Sequence, residues 1–359
     1  MAIDGCMKLL WRMTTSIATG STPWLRKLLE RGFLRALVLI TIQCVRQQWR
    51  IEFHVRLHLC LGLPAGLVYY HAAVAYRNSL AAVQELISSD DFKKSPLFES
   101  WGKVWDSANE CLDVLDEYES EFFESWRACD NLECSNIRDA HDMAGRCSRC
   151  QAFYYCSPEC QITDWEIAHR DTCSSYERIL LCERATRPQT LMFRERSFLR
   201  ALIHQKYDRE RRNICAQQVR LLASYPSEDK SKKNIFTFFD YCNCPPVIYI
   251  YAIHPSDAHA RTRLAQMVNW DLDSAEWHNL VQRAQDDEGY MHLHAMRILE
   301  GGGGGRVWVI PLRTDDPGIH VGVVELAKRV RGGELAGQED LLREIDDLLE
   351  EEADVLEIH

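Results

Sequence analysis

Residues 147–173, CSRCQAFYYCSPECQITDWEIAHRDTC, hold five cysteines and one histidine, and CDNLEC ends 12 residues before them. Seven of the chain's fifteen cysteines therefore fall within 45 residues. In order, the candidate ligands are Cys129, Cys134, Cys147, Cys150, Cys156, Cys160, His169 and Cys173. They form four pairs, with four, two, three and three residues between partners. Gaps of two to four let both side chains of a knuckle or helical turn reach one metal ion. Four pairs make two tetrahedral sites with no donor left over and no position open to water. That donor set is the set of structural rather than catalytic zinc. A short segment with few large apolar side chains cannot hold a fold by burial alone. A structural zinc contributes on the order of 10–16 kcal/mol of folding energy in small peptides. The cofactor expected from the residues is thus Zn2+, two per chain. Spacing by itself is compatible with consecutive pairs sharing an ion or with alternate pairs sharing one.

The run from Cys147 onward resembles the MYND zinc finger. The Tyr155-Cys156-Ser157 step, the Cys160-Gln161 step and the Asp164-Trp165 pair ahead of His169 carry the resemblance, which covers residues 129–173. Two details depart from that pattern. The first pair is spaced by four residues rather than the usual two, and three residues rather than two separate Trp165 from His169. The resemblance implies a cross-braced arrangement, with Cys129, Cys134, Cys156 and Cys160 on one zinc and Cys147, Cys150, His169 and Cys173 on the other. It also implies a partner-binding device for protein or proline-containing peptide, with Ser148, Gln161 and Trp165 as the contact residues.

The elements around this module read as helix before it and mixed structure after it. Leu97, Trp101, Val104, Ala108, Cys111, Leu115, Tyr118 and Phe122 recur at steps of four and three, which predicts one helix from about Leu97 to Trp126. Residues 24–48 alternate leucine clusters with Arg and Lys and also read as helical. After Cys173 a further helical stretch runs to 224, split at Pro188. YPSEDKSKKN reads as a linker. IFTFFDY, VIYIYAI, YMHLHAMRIL and RVWVIPL read as strands, with a helix from Ala258 to Gln285 between the second and third. The expected fold class is mainly α with a small α+β C-terminal region and an inserted two-zinc finger. The corresponding divisions are 1–128 helical, 129–173 finger, 174–224 helical, 225–234 linker, 235–330 α+β, and 331–359 an acidic helical tail.

Charge and composition narrow the function classes. The net charge of −11 is concentrated in residues 334–359, where eleven acids face one base, a local −10; the other residues hold 42 acids and 41 bases, or −1. Residues 184–212 hold nine Arg or Lys against three acids, the stretch on which a nucleic-acid-associated regulator would rest. The finger opposes that reading. It holds four basic and eight acidic residues, and seven thiolates against two Zn2+ add −3, so a phosphate backbone is repelled. Residues 57–76 carry no Asp, Glu, Lys or Arg, but Gly62, Pro64 and Gly66 interrupt them; a buried turn between core helices is expected there, not a membrane span. No secretory signal is visible, and clustered thiols then indicate a reducing, intracellular compartment, nucleus and cytoplasm fitting equally. Cys242 and Cys244 form a lone pair with no second pair nearby, and His141 reads as a loop histidine. GGGGG at 301–305 lacks the Lys-Ser/Thr ending of a phosphate loop and reads as a hairpin. No Asn-His-Ser-Cys step of the methyltransferases that contain such fingers follows residue 173, and no hydrolase motif is present. The expected function is that of an intracellular zinc-binding protein-interaction protein rather than an enzyme.

Overall fold

In the computed structural model, the described residues are 22–48, 62–95, 97–120, 126–131, 133–134, 136–139, 141–174, 176–177, 181, 193–225, 234–253, 275–287, 289–300, 304–335 and 337–359. The N-terminal helices are α1 (Thr22–Glu30), α2 (Phe33–Arg46), α3 (Tyr70–Leu80) and α4 (Phe98–Tyr118), with single turns at Gln84–Ile87 and Asp90–Lys93. The stripe foreseen on α4 is its buried face: Trp101, Val104, Ala108, Cys111 and Leu115 are all in the core. The helix is shorter than its apolar spacing suggests. It closes at Tyr118, where the Ser120 hydroxyl donates to the Glu117 carbonyl. Trp126 is in a strand instead, because Trp126–Ala128 (β1) pairs antiparallel with Ile137–Asp139 (β2). A two-strand ladder around the first cysteine pair thus takes the backbone bonds that a longer helix would have used.

Leu63, Leu67 and Val68 are fully buried in the turn that leads into α3. Among the described residues, no helix is long and apolar enough to cross a membrane.

The finger contributes β3 (Gly145–Arg146), β4 (Tyr154–Tyr155) and α5 (Pro158–Asp164), followed by a π-turn over Trp165–His169. The long helix α6 (Phe193–Ser224) then crosses the molecule. It packs on α3 and α4 at one end and on β6 and the C-terminal helices further along. Its buried residues, from Phe198 and Leu202 to Val219 and Leu222, belong to two different core clusters. Residues 182–192, including the proposed break at Pro188, lie outside the described residues.

The remaining elements are β5 (Asn234–Asp240), β6 (Val247–Ile253), α7 (Ala275–Asp286), β7 (Met291–Glu300), β8 (Gly304–Val309), β9 (Leu312–Thr314), α8 (Gly318–Arg331), α9 (Gln338–Glu351) and β10 (Glu357–Ile358). The sheet order is β10-β9-β7-β5-β6, with β8 pairing to the second half of β7. β5 and β7 are parallel, the other pairs antiparallel. Strand periodicity sorts side chains to two faces. Phe236, Phe238, Leu293 and Ala295 face the cluster with α7, while Phe239, Met296 and Ile298 face the main core with α6. With both faces covered, β5 reads as a near-continuous apolar run. RVWVIPL is two strands, not one: Ile310 and Pro311 fall between β8 and β9, and proline has no N–H to give to the ladder. Of the predicted 258–285 helix, residues 258–274 lie outside the described residues. Gly305 lies against Arg297, whose guanidinium stem fills the space a Cβ would need. The acidic C-terminal segment is folded onto the body. α9 packs on α6 and α8, and β10 completes the sheet.

Candidate metal centre

Each cysteine pair is shaped by local backbone bonds. The Cys147 N–H donates to the Phe153 carbonyl at 2.9 Å, and the Gln151 N–H returns to the Cys147 carbonyl at 2.9 Å. Gln151 takes φ 55, a left-handed turn that closes the knuckle. At the first pair, the Cys134 N–H donates to the Asn131 carbonyl at 3.0 Å, so four intervening residues still make a compact turn. The third pair straddles the start of α5, where the Ser157 hydroxyl accepts from the Cys160 N–H at 3.2 Å and Pro158 occupies the first turn. The fourth runs from His169, the last residue of the π-turn, into the helical residues after it.

Longer bonds then interleave the pairs. The β3–β4 hairpin sets Arg146 opposite Tyr154. The Asp130 N–H donates to the Tyr154 carbonyl at 2.8 Å, and the Tyr154 N–H donates back to the Asp130 carboxylate at 2.5 Å. That clamp carries Cys129 to the side of Cys156 rather than to Cys147, its neighbour in sequence. Two donor groups result: Cys129, Cys134, Cys156 and Cys160, and Cys147, Cys150, His169 and Cys173, the donor atoms of each lying within 4.8 Å of one another.

The spacings suit zinc. Zn–S bonds of about 2.3 Å and Zn–N bonds of about 2.0–2.1 Å put the edges of a tetrahedron near 3.8 Å for S···S and about 3.6 Å for S···N. Cys134–Cys156 is 3.5 Å, Cys156–Cys160 3.6 Å, Cys147–Cys173 3.8 Å, and Cys150 Sγ to His169 Nε2 3.5 Å. All four donors of the second group are buried, whereas Cys134 and Cys160 of the first are half-buried.

The electrostatics run the same way. Burial alone would raise the Cys147 thiol, but the N–H groups of Cys150 and Arg149 hold it below its ordinary value. At Cys160 burial is likewise outweighed, there by bonds from Asn131 and Ser157. Burial pushes Cys150 up to about 12 and raises Cys129 as well. Burial also lowers His169, which keeps the ring neutral and its Nε2 able to bind metal. His169 Nδ1 is buried with no hydrogen-bond partner among the described residues. Asn136 Nδ2 donates to Cys134 Sγ at 3.2 Å.

The three proposed contact residues occupy separate elements. Ser148 is exposed in the Cys147–Cys150 knuckle, Gln161 is half-buried in α5, and Trp165 is half-buried at the head of the π-turn. The Trp165 ring meets His169 edge-on at 5.7 Å and packs on the cysteine cluster, so one side of the indole is core. The π-turn explains how three residues fit between Trp165 and His169. A wider turn absorbs an extra residue and still returns the imidazole to its site. His141 is exposed and its backbone is held by Asp139, and Cys244 Sγ lies 3.0 Å from Ser107 Oγ; neither belongs to a donor group.

Residues that ligand spacing does not single out attach the finger to the body. The buried Tyr155 hydroxyl donates to Asp164 Oδ2 at 2.8 Å, and Arg283 on α7 reaches Asp164 Oδ1 at 3.4 Å. Burial pushes Asp130 up to about 6, against the pull of the Tyr154 N–H and of Arg200 and Arg313. Tyr155 and Asp164 stand beside ligands and motif residues, but nothing in the sequence connects them to Arg283. Tyr155→Phe should cost about 1–3 kcal/mol in a denaturant titration, because Asp164 loses a buried donor. Zinc content should remain at two ions per chain, and release of zinc would show that Tyr155 supports the metal site directly.

Comparison with known proteins finds matches to part of the chain. Residues 129–173 match the family model described as MYND finger. A 32-residue segment is 53% identical to ubiquitin carboxyl-terminal hydrolase 15 of Arabidopsis thaliana, covering 9% of this chain and 4% of that protein. No solved structure matches the chain.

Proposed function

We propose that the chain is an interaction protein in which a cross-braced two-zinc finger, fixed to a folded body, binds a proline-containing peptide through Ser148, Gln161 and Trp165. The carrying observation is the half-exposed indole of Trp165, seated on the metal cluster by its inner edge. An aromatic held rigid by its inner edge keeps little rotamer freedom to lose, and its outer face can cover a pyrrolidine ring. The body holds the finger through the Asp164–Arg283 pair, which makes the finger a platform with a set orientation. The family match supports a protein-interaction role. The hydrolase named above shares only a short segment with this chain, and its activity is not carried over.

The basic stretch gives little support to nucleic-acid binding. Lys206 pairs with Glu110 and Glu210, Arg209 with Asp113, Arg211 with Glu357 and Arg212 with Asp346. Arg194 lies over the Tyr70 ring, and Arg196 lies 5.7 Å from the Trp308 ring centre. Catalysis forms no part of the proposal; measured binding of S-adenosylmethionine would reverse that.

The test is peptide titration with zinc counted in parallel. Trp165→Ala should weaken a proline-containing peptide by roughly 2 kcal/mol or more with both ions retained. Ser148→Ala and Gln161→Ala, which lie outside the cluster core, should weaken it less. Should neither change affinity while Trp165→Ala releases zinc, Trp165 is a core residue and the groove has no anchor.

A further inference from the structure

The outer face of the finger carries more than the indole of Trp165. α5 runs into the π-turn without a break: Trp165 has φ −60 and ψ −41, and its N–H bonds to the Gln161 carbonyl. Residues three and four apart are therefore neighbours on this surface. Ile162 lies three before Trp165 and four before Glu166, and Glu159 lies three before Ile162. Ile162 is 59% exposed, a large apolar side chain in water beside a half-buried indole. It takes no part in the cluster around the cysteines, so packing does not account for it.

Carboxylates border this apolar spot. Glu159 and Glu166 are both exposed, and neither forms an ion pair among the described residues. The cations nearest in sequence are engaged elsewhere. Arg170, four beyond Glu166, lies 3.7 Å from Asp171, and Arg149 lies 2.7 Å from Glu177. The finger as a whole holds eight acidic residues against four basic ones, so its field adds to the local attraction for a cation.

An apolar spot edged by carboxylates fits a long aliphatic stem that ends in a positive charge. Lys and Arg lay such stems along apolar surface and keep the charged head in water. We propose that the proline-containing peptide bound at Trp165 carries a Lys or Arg two positions from its proline, with the stem on Ile162 and the cation at Glu166. Glu159, on the same face, adds to the attraction. The spacing follows from the two geometries. Helix neighbours of this kind stand about 5–6 Å apart, and an extended peptide advances about 3.1 Å per residue, so two residues cover the step from Trp165 to Ile162. The inference rests on Trp165 being the proline contact.

The probe is the peptide Gly-Arg-Ala-Pro-Ala-Arg-Gly, titrated into the zinc-loaded full chain. An arginine on each side makes the result independent of chain direction. Citrulline at both places removes the charge and keeps the shape; glutamate at both places reverses the charge. At low ionic strength the arginine peptide should bind about three- to fivefold tighter than the citrulline peptide, the scale of an exposed ion pair. Added salt should erase that difference. Glu166→Lys, with both zinc ions retained, should make the glutamate peptide bind tighter than the arginine peptide. Equal affinity of the arginine and citrulline peptides, with both weakened by Trp165→Ala, overturns this inference and leaves the Trp165 reading standing. A preference for arginine that Glu166→Lys does not alter also overturns it, because the cation is then held elsewhere. No binding, or affinities that Trp165→Ala leaves unchanged, removes the Trp165 reading and this inference together.

Discussion

Cys134→Ser and Cys156→Ser should each remove one of the two zinc ions, and the double substitution should remove no second one. The two sulfurs lie 3.5 Å apart in one donor group although 22 positions separate them. Once either thiolate is lost, the site is broken and the second change has little left to remove, so the effects are strongly non-additive. Cys147→Ser acts on the other group, and combined with Cys134→Ser it should leave no zinc. These are the largest single effects expected, because a structural zinc is worth on the order of 10–16 kcal/mol in small peptides. Zinc analysis per chain, with the finger's fold followed by NMR, reads both. If Cys134 and Cys147 instead behave as one site and Cys156 as independent, the ions are held by consecutive pairs.

The body should lose stability steeply as pH falls below about 6.5. His294 on β7 and His204 on α6 both meet His359, which follows β10. His294 Nδ1 lies 2.8 Å from His359 Nε2, and His204 Nδ1 lies 3.3 Å from His359 Nδ1. Next along the same face of β7, His292 lies 5.0 Å from His320. Burial drives His294 and His359 well below their ordinary range and His292 down to about 3, with the neighbouring rings adding like-charge repulsion. The unfolded chain takes up these protons near 6.5, and the folded chain does not until far lower. Their contribution is therefore complete above that pH and is lost as pH falls, at about 1.4 kcal/mol per pH unit for each histidine. Glu357, raised by burial, works in the opposite direction and moderates the slope. Denaturant midpoints of the body between pH 7 and 5.5, followed by tryptophan fluorescence with zinc release monitored separately, should show the fall. His294→Gln should flatten it by about one proton. An unchanged slope in that variant would mean the cluster is not held neutral.

The two predictions differ in how far they were legible before the fold was known. The pairing of cysteines within four knuckles is local information: two to four intervening residues place two donors on one turn whatever the rest of the chain does. The strand character of IFTFFDY and VIYIYAI and the buried stripe of α4 are local in the same sense, because period and residue type act over a few positions. Helix and strand ends were less legible. Trp126 continues the apolar pattern of α4, yet a ladder to Ile137–Asp139 claims it.

Nothing local links Cys129 to Cys156, and the sequence resemblance alone pointed to their grouping. The Asp130–Tyr154 clamp brings them together, by one backbone–backbone bond and one backbone–carboxylate bond across 24 positions. The same holds for charge. The run of basic residues between 184 and 212 is the stretch on which a nucleic-acid-binding face would rest. Whether it is one depends on Glu110, Asp113, Asp346 and Glu357 arriving from other helices and from β10. Likewise, two histidines in YMHLHAMRIL are ordinary strand residues until α6 and the C-terminal segment close over them and exclude water. The sequence by itself determined the metal and its candidate donors, since these follow from donor chemistry and short-range spacing. Which donors come together, which charges are spent inside the chain and which histidines stay neutral were decided by tertiary structure, because desolvation and pairing depend on groups that only folding brings within a few ångströms.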